Sequence, residues 1–319
     1  MNTYLVTGGA GFIGSHLCEA LLARGDRVAC VDNFNDYYTP DRKRRNIATA
    51  LQNPNYSCHE VDIRDHAALG GVFKAVQPTH VAHFAAMAGP RRSIEQPWLY
   101  AAVNIDGTVN VLDNARLHGV KAVVLASTSS VYGIPERVPF QEDDPANRPL
   151  SPYGATKKAS EVMAYTYHYL YGVPTTVVRP FTVFGPRGRP DMTPHLFVTA
   201  MRQGKPITLF NGGREIYRDY TYVGDFVPGV MAALEVARPY EIFNLGNSKP
   251  IEMCHFMDVL QQVTGLKAII EEKPAPRGEP LRTHADISKA RELLGYNPST
   301  TLETGLSNFW NWYQQEIMV

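Results

Sequence analysis

No run of this chain is apolar for long enough to cross a bilayer, which argues against an integral membrane protein. Excess charge of one sign is missing as well, since Lys plus Arg and Asp plus Glu both total 31. That balance removes the electrostatic case for nucleic acid or anionic membrane as a partner. Cysteine is scarce: four residues in 319 (Cys18, Cys30, Cys58, Cys254), with no metal-ligand spacing among them. They read as reduced thiols, which suits a cytoplasmic protein and excludes a disulfide scaffold. The first motif starts at residue 8, so no signal peptide is expected ahead of it. Internal repeats and low-complexity segments are absent too. The densest basic run, Arg42-Lys43-Arg44-Arg45, is read as the solvated face of a surface helix, offset by Asp36 and Asp41. What remains is a chain long enough for one large or two small domains with a real core.

The motifs that are present begin with the first strand. Tyr4-Leu5-Val6 is a short apolar run, followed by Gly8-Gly9-Ala10-Gly11-Phe12-Ile13-Gly14 and helical periodicity through Leu17, Leu21 and Leu22. Gly8, Gly11 and Gly14 have GxxGxxG spacing where the dehydrogenase fingerprint has GxGxxG. The physical demand is similar: a tight strand-to-helix turn whose backbone can approach a pyrophosphate at a helix N-terminus. A second strand over 27–31 runs into Asp32, eighteen residues after Gly14. An acid there suits the adenosine ribose hydroxyls and repels a 2′-phosphate, which favours NAD over NADP.

Apolar strands are expected at 3–7, 27–31, 56–62, 80–85, 122–127 and 175–180, with helices near 11–24, 65–76, 98–118 and 151–171. This alternation predicts an α/β fold, a doubly wound parallel Rossmann sheet with helices on both faces. After Pro180 the pattern loosens, with proline and glycine clustered at 185–194, 204–213 and 274–280. The expected division is a dinucleotide-binding domain over 1–180, rejoined by 223–245, and a smaller mixed α/β C-terminal substrate lobe within 181–319. Ligand then binds between the two, above the carboxyl ends of the strands. The Trp310-Asn311-Trp312-Tyr313 run reads as a C-terminal helix docked on the core.

The chemistry-bearing phrases are LASTSSVYG, from Leu125, and SPYGATKK, from Ser151. Tyr153 and Lys157 stand four apart on a predicted helix and share one face. An ammonium beside a phenol favours the phenolate and lowers a pKa otherwise near 10, making Tyr153 a candidate general base. Thr128, at the end of an apolar strand, supplies a second hydroxyl. A YxxxK match alone is weak, because surface Tyr/Lys pairs are common on helices; the glycine-rich turn upstream strengthens it.

Together GGAGFIG, Asp32, STSSVYG, YxxxK and RPFTVFGP make the chain resemble the extended short-chain dehydrogenases/reductases that act on nucleotide sugars. The resemblance covers essentially the whole chain and includes RDYTYVGD (218–225), NLGN (244–247) and TxAD (283–286). Within that family, DNFNDYY (32–38), RRSIEQP (91–97), TSS before VYG and FTVFGPRGRPDM (181–192) are most similar to the branch that epimerises UDP-glucuronate at C4. The resemblance implies tightly held NAD, a UDP-sugar substrate and a homodimer.

It also implies roles. Tyr153 takes the proton of the sugar 4-hydroxyl, Lys157 binds the nicotinamide ribose, and Thr128 bonds the same 4-oxygen. The expected cofactor set is Gly8, Gly11, Phe12, Ile13, Gly14, Asp32, Asn33, Asp62, Ile63, Ala85, Ala86, Asn104, Ser127, Tyr153, Lys157 and Pro180, with Asn104 and Pro180 either touching the cofactor indirectly or lining its nicotinamide end. Asp62 is read either as an adenine-side contact or as a helix-capping acid ahead of Asp65. Dehydratases of this family carry an Asp-Glu pair after the catalytic threonine, and the decarboxylases a Glu before VYG. Here Ser129 and Ser130 occupy those positions, which argues against both activities. The hydroxyls of Thr128, Ser129, Ser130 and Thr182 form a candidate nest for the substrate carboxylate. Arg189 and Arg218 are candidates for the diphosphate, and Arg277 and Glu279 for phosphate and uridine ribose, although the family pattern has Asp at the Glu279 position. Arg92 is read either as a site residue or as part of a surface turn. No histidine is given a role. UDP-glucose 4-epimerase and UDP-glucuronate decarboxylase stay open as enzyme alternatives, and a non-catalytic NAD-binding scaffold as an alternative of another class. Tyr165, Tyr169 and Val162 are read either as core or as a dimer seam.

Overall fold

The computed structural model describes residues 2–236, 238–274 and 281–316. Six strands, β1 (Thr3–Thr7), β2 (Arg27–Asp32), β3 (Tyr56–Glu60), β4 (His80–His83), β5 (Ala122–Ala126) and β6 (Thr175–Pro180), lie parallel in one sheet. A seventh, Tyr240–Leu245, pairs with β6 in the same sense. The order from one edge is Tyr240–Leu245, β6, β5, β4, β1, β2, β3. This is the doubly wound α/β class expected from the strand–helix alternation. The chain runs outward through β2 and β3, then crosses to the other side of β1 to begin β4. Connections leaving the carboxyl ends of β1 and β4 therefore diverge, and a crevice opens there.

Helices α1 (Phe12–Ala23), α2 (Pro40–Asn46) and α3 (His66–Val76) follow the first three strands. Their apolar faces and the strands' two-sided burial build two cores, one around Leu17, Leu21, Val124 and Phe226, the other around Leu5, Leu69, Phe73 and Val123. The expected helix over 98–118 is present as Pro97–Ala101 and Gly107–Leu117, joined by a π-helical turn at Ala102–Asp106. Helix Pro152–Tyr171 has a clear local origin. Ser151 caps it by accepting the Gly154 N–H at 3.2 Å, Pro152 sits in the first turn, and Gly172 ends it at φ +69°.

The rest of the chain forms short strand pairs, Thr182–Phe184 with Tyr220–Tyr222 and Pro206–Phe210 with Ile269–Lys273, around a third core of Phe184, Tyr220, Phe256 and Phe309. The C-terminal helix Leu302–Glu316 closes it with Leu306, Phe309 and Tyr313. Among the described residues no helix is long and apolar enough to cross a membrane.

Candidate active site

The turn after β1 is built by its glycines. Gly8 adopts φ +69°, and a Cβ there would stand 2.7 Å from the Ala85 nitrogen. A Cβ on Gly14 would lie 2.2 Å from the Gly8 carbonyl oxygen. Side chains at these positions would push the turn away from both the next strand and its own helix. Gly11 is the N-cap of α1, with no side-chain cap and no acid in the first turn. The helix therefore presents bare N–H groups and the positive end of its dipole to the cavity beside it.

That cavity is open to solvent on one side and is lined by Gly8, Gly11, Phe12, Ile13, Gly14, Asp32, Asn33, Asp62, Ile63, Ala85 and Ala86, all expected from the sequence. Asp62 accepts Nδ2–H of Asn33 at 2.9 Å and the Arg64 guanidinium at 2.7 Å, and the Arg64 bond holds its carboxyl near 2. The cap of α3 is Asp65, which accepts the Ala68 N–H at 2.9 Å. Asp62 is thus a cavity residue, and the capping role falls to its neighbour.

One expectation needs correction here. The basic run is not simply a solvated face. Lys43 is buried at 7% exposure, lines the cavity and meets Asp32 Oδ1 at 3.0 Å. Arg42 and Arg45 both reach Glu316 of the C-terminal helix, and Arg44 reaches Glu60. One turn of α2 aims its side chains in three directions, so a contiguous run splits among three partners. Asp32 also accepts N–H groups from Phe34 and Ala10. Lys43 and these two N–H groups together hold the Asp32 carboxylate in the cavity wall.

A second cavity adjoins the first and shares Phe12, Ile13, Phe84, Ala86, Ala88 and Arg189 with it. Its walls bring together Ser127, Thr128, Ser129, Ser130, Tyr153, Lys157, Pro180, Thr182 and Arg189, which lie far apart in sequence. No carboxylate lines it among the described residues. Thr128, two residues past β5, is extended and caps the 3₁₀ turn Ser129–Tyr132, its Oγ1 accepting the Ser130 N–H at 3.1 Å. Burial pushes the Tyr153 phenol above its ordinary value, and hydrogen bonding with Thr128 opposes that rise. Burial lowers the Lys157 ammonium to about 8, opposed by the charge of Glu161. The expected lowering of the tyrosine is therefore reversed, because desolvation of the phenolate outweighs the stabilising neighbours.

Behind these groups lies a polar brace. The Ser127 hydroxyl donates to Glu161 Oε1 at 2.5 Å, and Arg179 grips both oxygens of Glu161 at 2.9 and 2.8 Å. Asn104 lines neither cavity. Its Oδ1 accepts the Met87 N–H at 2.8 Å, and its Nδ2 donates to the Met87 carbonyl and to Thr156 Oγ1, both at 3.0 Å. From the π-helical turn it thus ties the segment after β4 to the helix that carries Tyr153 and Lys157, so any influence on a cofactor is indirect.

The remaining expected residues scatter. Arg92 donates to the Tyr37 carbonyl at 3.3 Å and lies 4.7 Å from that tyrosine's ring, lining neither cavity. Arg218 donates to the carbonyls of Tyr217 and Leu281 and is likewise outside both linings. Arg277 and Glu279 lie outside the described residues. Lys43, Tyr37 and Asp191 were not singled out by sequence reasoning. Asp191 accepts from Arg189 at 2.8 Å and from the Tyr37 hydroxyl at 3.0 Å. DNFNDYY and GRPDM carry these tyrosine and aspartate residues, but nothing in either phrase alone says that they meet.

The residues fit a dinucleotide. Glycines leave the backbone open over an uncapped helix N-terminus, and an acid with a neighbouring asparagine stands at the far end of the groove. The adjoining cavity has a tyrosine and a lysine, Tyr153 and Lys157, in its wall. The chain belongs to the family described as GDP-mannose 4,6 dehydratase, whose model matches residues 5–309. This is the extended short-chain dehydrogenase/reductase group that the motifs resemble. Among its relatives, a UDP-glucuronate 4-epimerase of Thermodesulfobacterium geofontis is 43% identical over 318 residues, spanning 99% of this chain and 98% of the relative. The crystal structure of UDP-glucuronic acid 4-epimerase from Bacillus cereus, in complex with UDP-glucuronic acid and NAD, aligns with TM-score 0.91 and 35% identity over 98% of this chain and 99% of that one. A UDP-glucose 4-epimerase from Thermotoga maritima, solved with UDP-glucose, gives TM-score 0.88 and 31% identity over 99% of each chain.

Proposed function

We propose that this chain catalyses the NAD-dependent 4-epimerisation of UDP-glucuronate to UDP-galacturonate. One observation carries the reading: Thr128, Ser129, Ser130 and Thr182 share with Tyr153 and Lys157 a cavity whose described lining holds no carboxylate. Dehydration across C5–C6 needs an acid and a base at that place, and the cavity has neither beyond the Tyr/Lys pair. A substrate carboxylate instead meets neutral hydroxyl donors. The family relatives that act on UDP-glucuronate support the same substrate.

When bound, NAD supplies reversible hydride exchange with C4 of the sugar. Tyr153 removes the proton of the 4-hydroxyl and returns it after the 4-keto sugar has turned over. Lys157 binds the nicotinamide ribose and stabilises the phenolate, offsetting the burial that raises it. Thr128 hydrogen-bonds the 4-oxygen. A 4-keto uronate is a β-keto acid and loses CO₂ when its carboxylate stands perpendicular to the ketone. Ser129, Ser130 and Thr182 hold the carboxylate away from that alignment, so the intermediate survives to be reduced. Asp32, Asn33, Asp62 and Ile63 take the adenosine end, Gly11 to Gly14 the pyrophosphate, and Ala85, Ala86, Ser127 and Pro180 the nicotinamide end. Arg189, which lines both cavities, faces the diphosphate of the sugar nucleotide. Residues 1–180 with 223–245 form the dinucleotide half, and the rest of 181–319 the sugar-nucleotide lobe.

Incubation with UDP-glucuronate, followed by chromatography and mass spectrometry, tests this. A new species of equal mass is expected, reaching the same mixture from UDP-galacturonate. A product lighter by CO₂ would make the enzyme a decarboxylase, and turnover of UDP-glucose alone would remove the role given to the serines.

We propose a homodimer as the working form. Trp98 is 87% exposed and Tyr169 75%, with Val162, Tyr165 and Leu170 also exposed on neighbouring helices. Exposed large apolar side chains of this kind are where a second copy would dock. We assign the protein to the cytoplasm, a compartment that keeps its four free thiols reduced.

A further inference from the structure

The segment from Gly185 to Met192 leaves the second half of the chain and reaches residues of the first half on two sides of the dinucleotide cavity. On one side it holds α1. His16 Nε2 bonds the Pro186 carbonyl at 2.9 Å, and Arg187 reaches Glu19 at 2.7 Å and Ser15 at 3.4 Å. On the other side it holds the loop after β2, through the Tyr37 hydroxyl on Asp191 Oδ2 at 3.0 Å. The same hydroxyl lies 2.9 Å from the Ala88 carbonyl, so one proton is shared between an amide oxygen and a carboxylate. Gly89, at φ +86°, makes room for it, since a Cβ there would fall 2.9 Å from the Tyr37 oxygen. Both guanidinium groups nearby, Arg92 at 4.7 Å and Arg189 at 5.7 Å, lie against the Tyr37 ring. Burial disfavours the Asp191 carboxylate, but the Arg189 hydrogen bond and charge outweigh it, so the acid stays ionised as an acceptor. Tyr37 and Arg189 both line the dinucleotide cavity, and Arg189 lines the neighbouring one too.

We propose that residues 185–192 are a strap over the dinucleotide groove, clasped by Tyr37 to Asp191 and anchored by Arg187 to Glu19, and that this strap retains NAD between turnovers. The inference rests on the reading that the chain uses NAD. An epimerase gives back the hydride it takes, so it gains nothing from exchanging cofactor. A dehydrogenase must open this same edge at every cycle. Tyr37 is then a positioning residue for retention, with no part in proton transfer.

The test measures cofactor release directly. NAD bound per chain is determined after desalting, and its release is followed by trapping free NAD with an auxiliary dehydrogenase and reading NADH fluorescence. Wild-type protein is expected to keep its NAD through desalting. Tyr37→Phe keeps the ring but loses the hydroxyl bonds, and release should quicken about tenfold, as for one hydrogen bond to a charged group. Glu19→Gln, outside both cavities, should quicken it by about threefold through the second anchor. Release at the wild-type rate from both variants, with unchanged thermal unfolding, would overturn the proposal. So would a wild-type protein that binds added NAD but loses it on desalting, and the NAD-dependent function would then stand without the strap. Wild-type protein that binds no NAD at all would remove both.

Discussion

Arg179 and Glu161 form a two-pronged ion pair at 2.9 and 2.8 Å, with side-chain exposures of 0% and 1%. Glu161 lies one helical turn beyond Lys157, and through Ser127 it touches the wall of the second cavity. A buried charge pair of this kind adds little net stability, because desolvation offsets the attraction. Its weight shows when one partner is removed. Arg179→Met leaves Glu161 with Lys158 at 3.2 Å as its remaining ion pair, and is expected to cost about 3–5 kcal/mol. Urea unfolding reads this. The double variant Arg179→Met with Glu161→Gln should recover much of the loss, and failure to do so would mean that the packing of Arg179 on Tyr132 matters more than the charge.

Tyr153→Phe removes the one phenol that the proposed proton transfer needs. Turnover of UDP-glucuronate should fall by at least about 10²–10⁴-fold. NAD content should stay at the wild-type level, because the ring that lines the cavity is retained. Turnover within a few-fold of wild type would transfer the base role to another group in the cavity.

The second cavity also leaves a signature in the dependence of stability on pH. Lys157 has an ordinary value of 10.5 and is lowered to about 8 by burial, with Glu161 opposing. Between these two values the unfolded chain binds more protons than the folded one, so this residue makes stability rise with pH. Its unfavourable contribution is fully present below about 8 and fades as pH rises towards 10.5. The slope approaches about 1.4 kcal/mol per pH unit inside the window. The raised phenol of Tyr153 acts in the opposite sense above pH 10, so the comparison belongs at lower pH. Denaturant unfolding of wild type and Lys157→Met from pH 8 to 9.5 should show a difference that changes in favour of the wild type as pH rises. Parallel curves would mean that Lys157 titrates normally.

Much of this architecture was legible in the sequence because strand hydrophobicity and glycine turns are local signals. Gly8, Gly11, Gly14 and Asp32 announce a nucleotide turn from short-range chemistry alone, and the six predicted strands appear with ends shifted by at most two residues. Tyr153, Lys157, Thr128 and the serines were legible as phrases, and the fold brings them to one wall. What stayed hidden depends on contacts between distant segments. Lys43 looked like part of a solvated run because its partner, Asp32, is eleven residues away across a turn. The partners of Asn104, Met87 and Thr156, are brought to its amide only by the packed π-helical turn. Tyr37 and Asp191 are 154 positions apart, and neither has a local pattern that predicts the other. The direction of the Tyr153 shift was hidden for a related reason, since burial is a property of the assembled cleft.

The serine wall makes the sharpest separation between a carboxylate substrate and a neutral one. Ser130 follows Thr128 by two residues, and its N–H is fixed on the Thr128 hydroxyl at 3.1 Å. Ser130→Glu places a negative charge where the uronate carboxylate is held. KM for UDP-glucuronate should rise by about tenfold to a hundredfold, the range expected for an unpaired like charge in a partly dry site. Ser130→Gln, similar in size but neutral, separates charge from bulk and should raise it much less. UDP-glucose, which carries no carboxylate, should be affected alike by both variants. If Glu and Gln at this position impair UDP-glucuronate equally, steric crowding explains the loss, and the hydroxyl nest does not select the carboxylate. A lighter, decarboxylated product from Ser130→Glu would instead support the nest, because a repelled carboxylate is free to rotate out of the protected plane before reduction at C4.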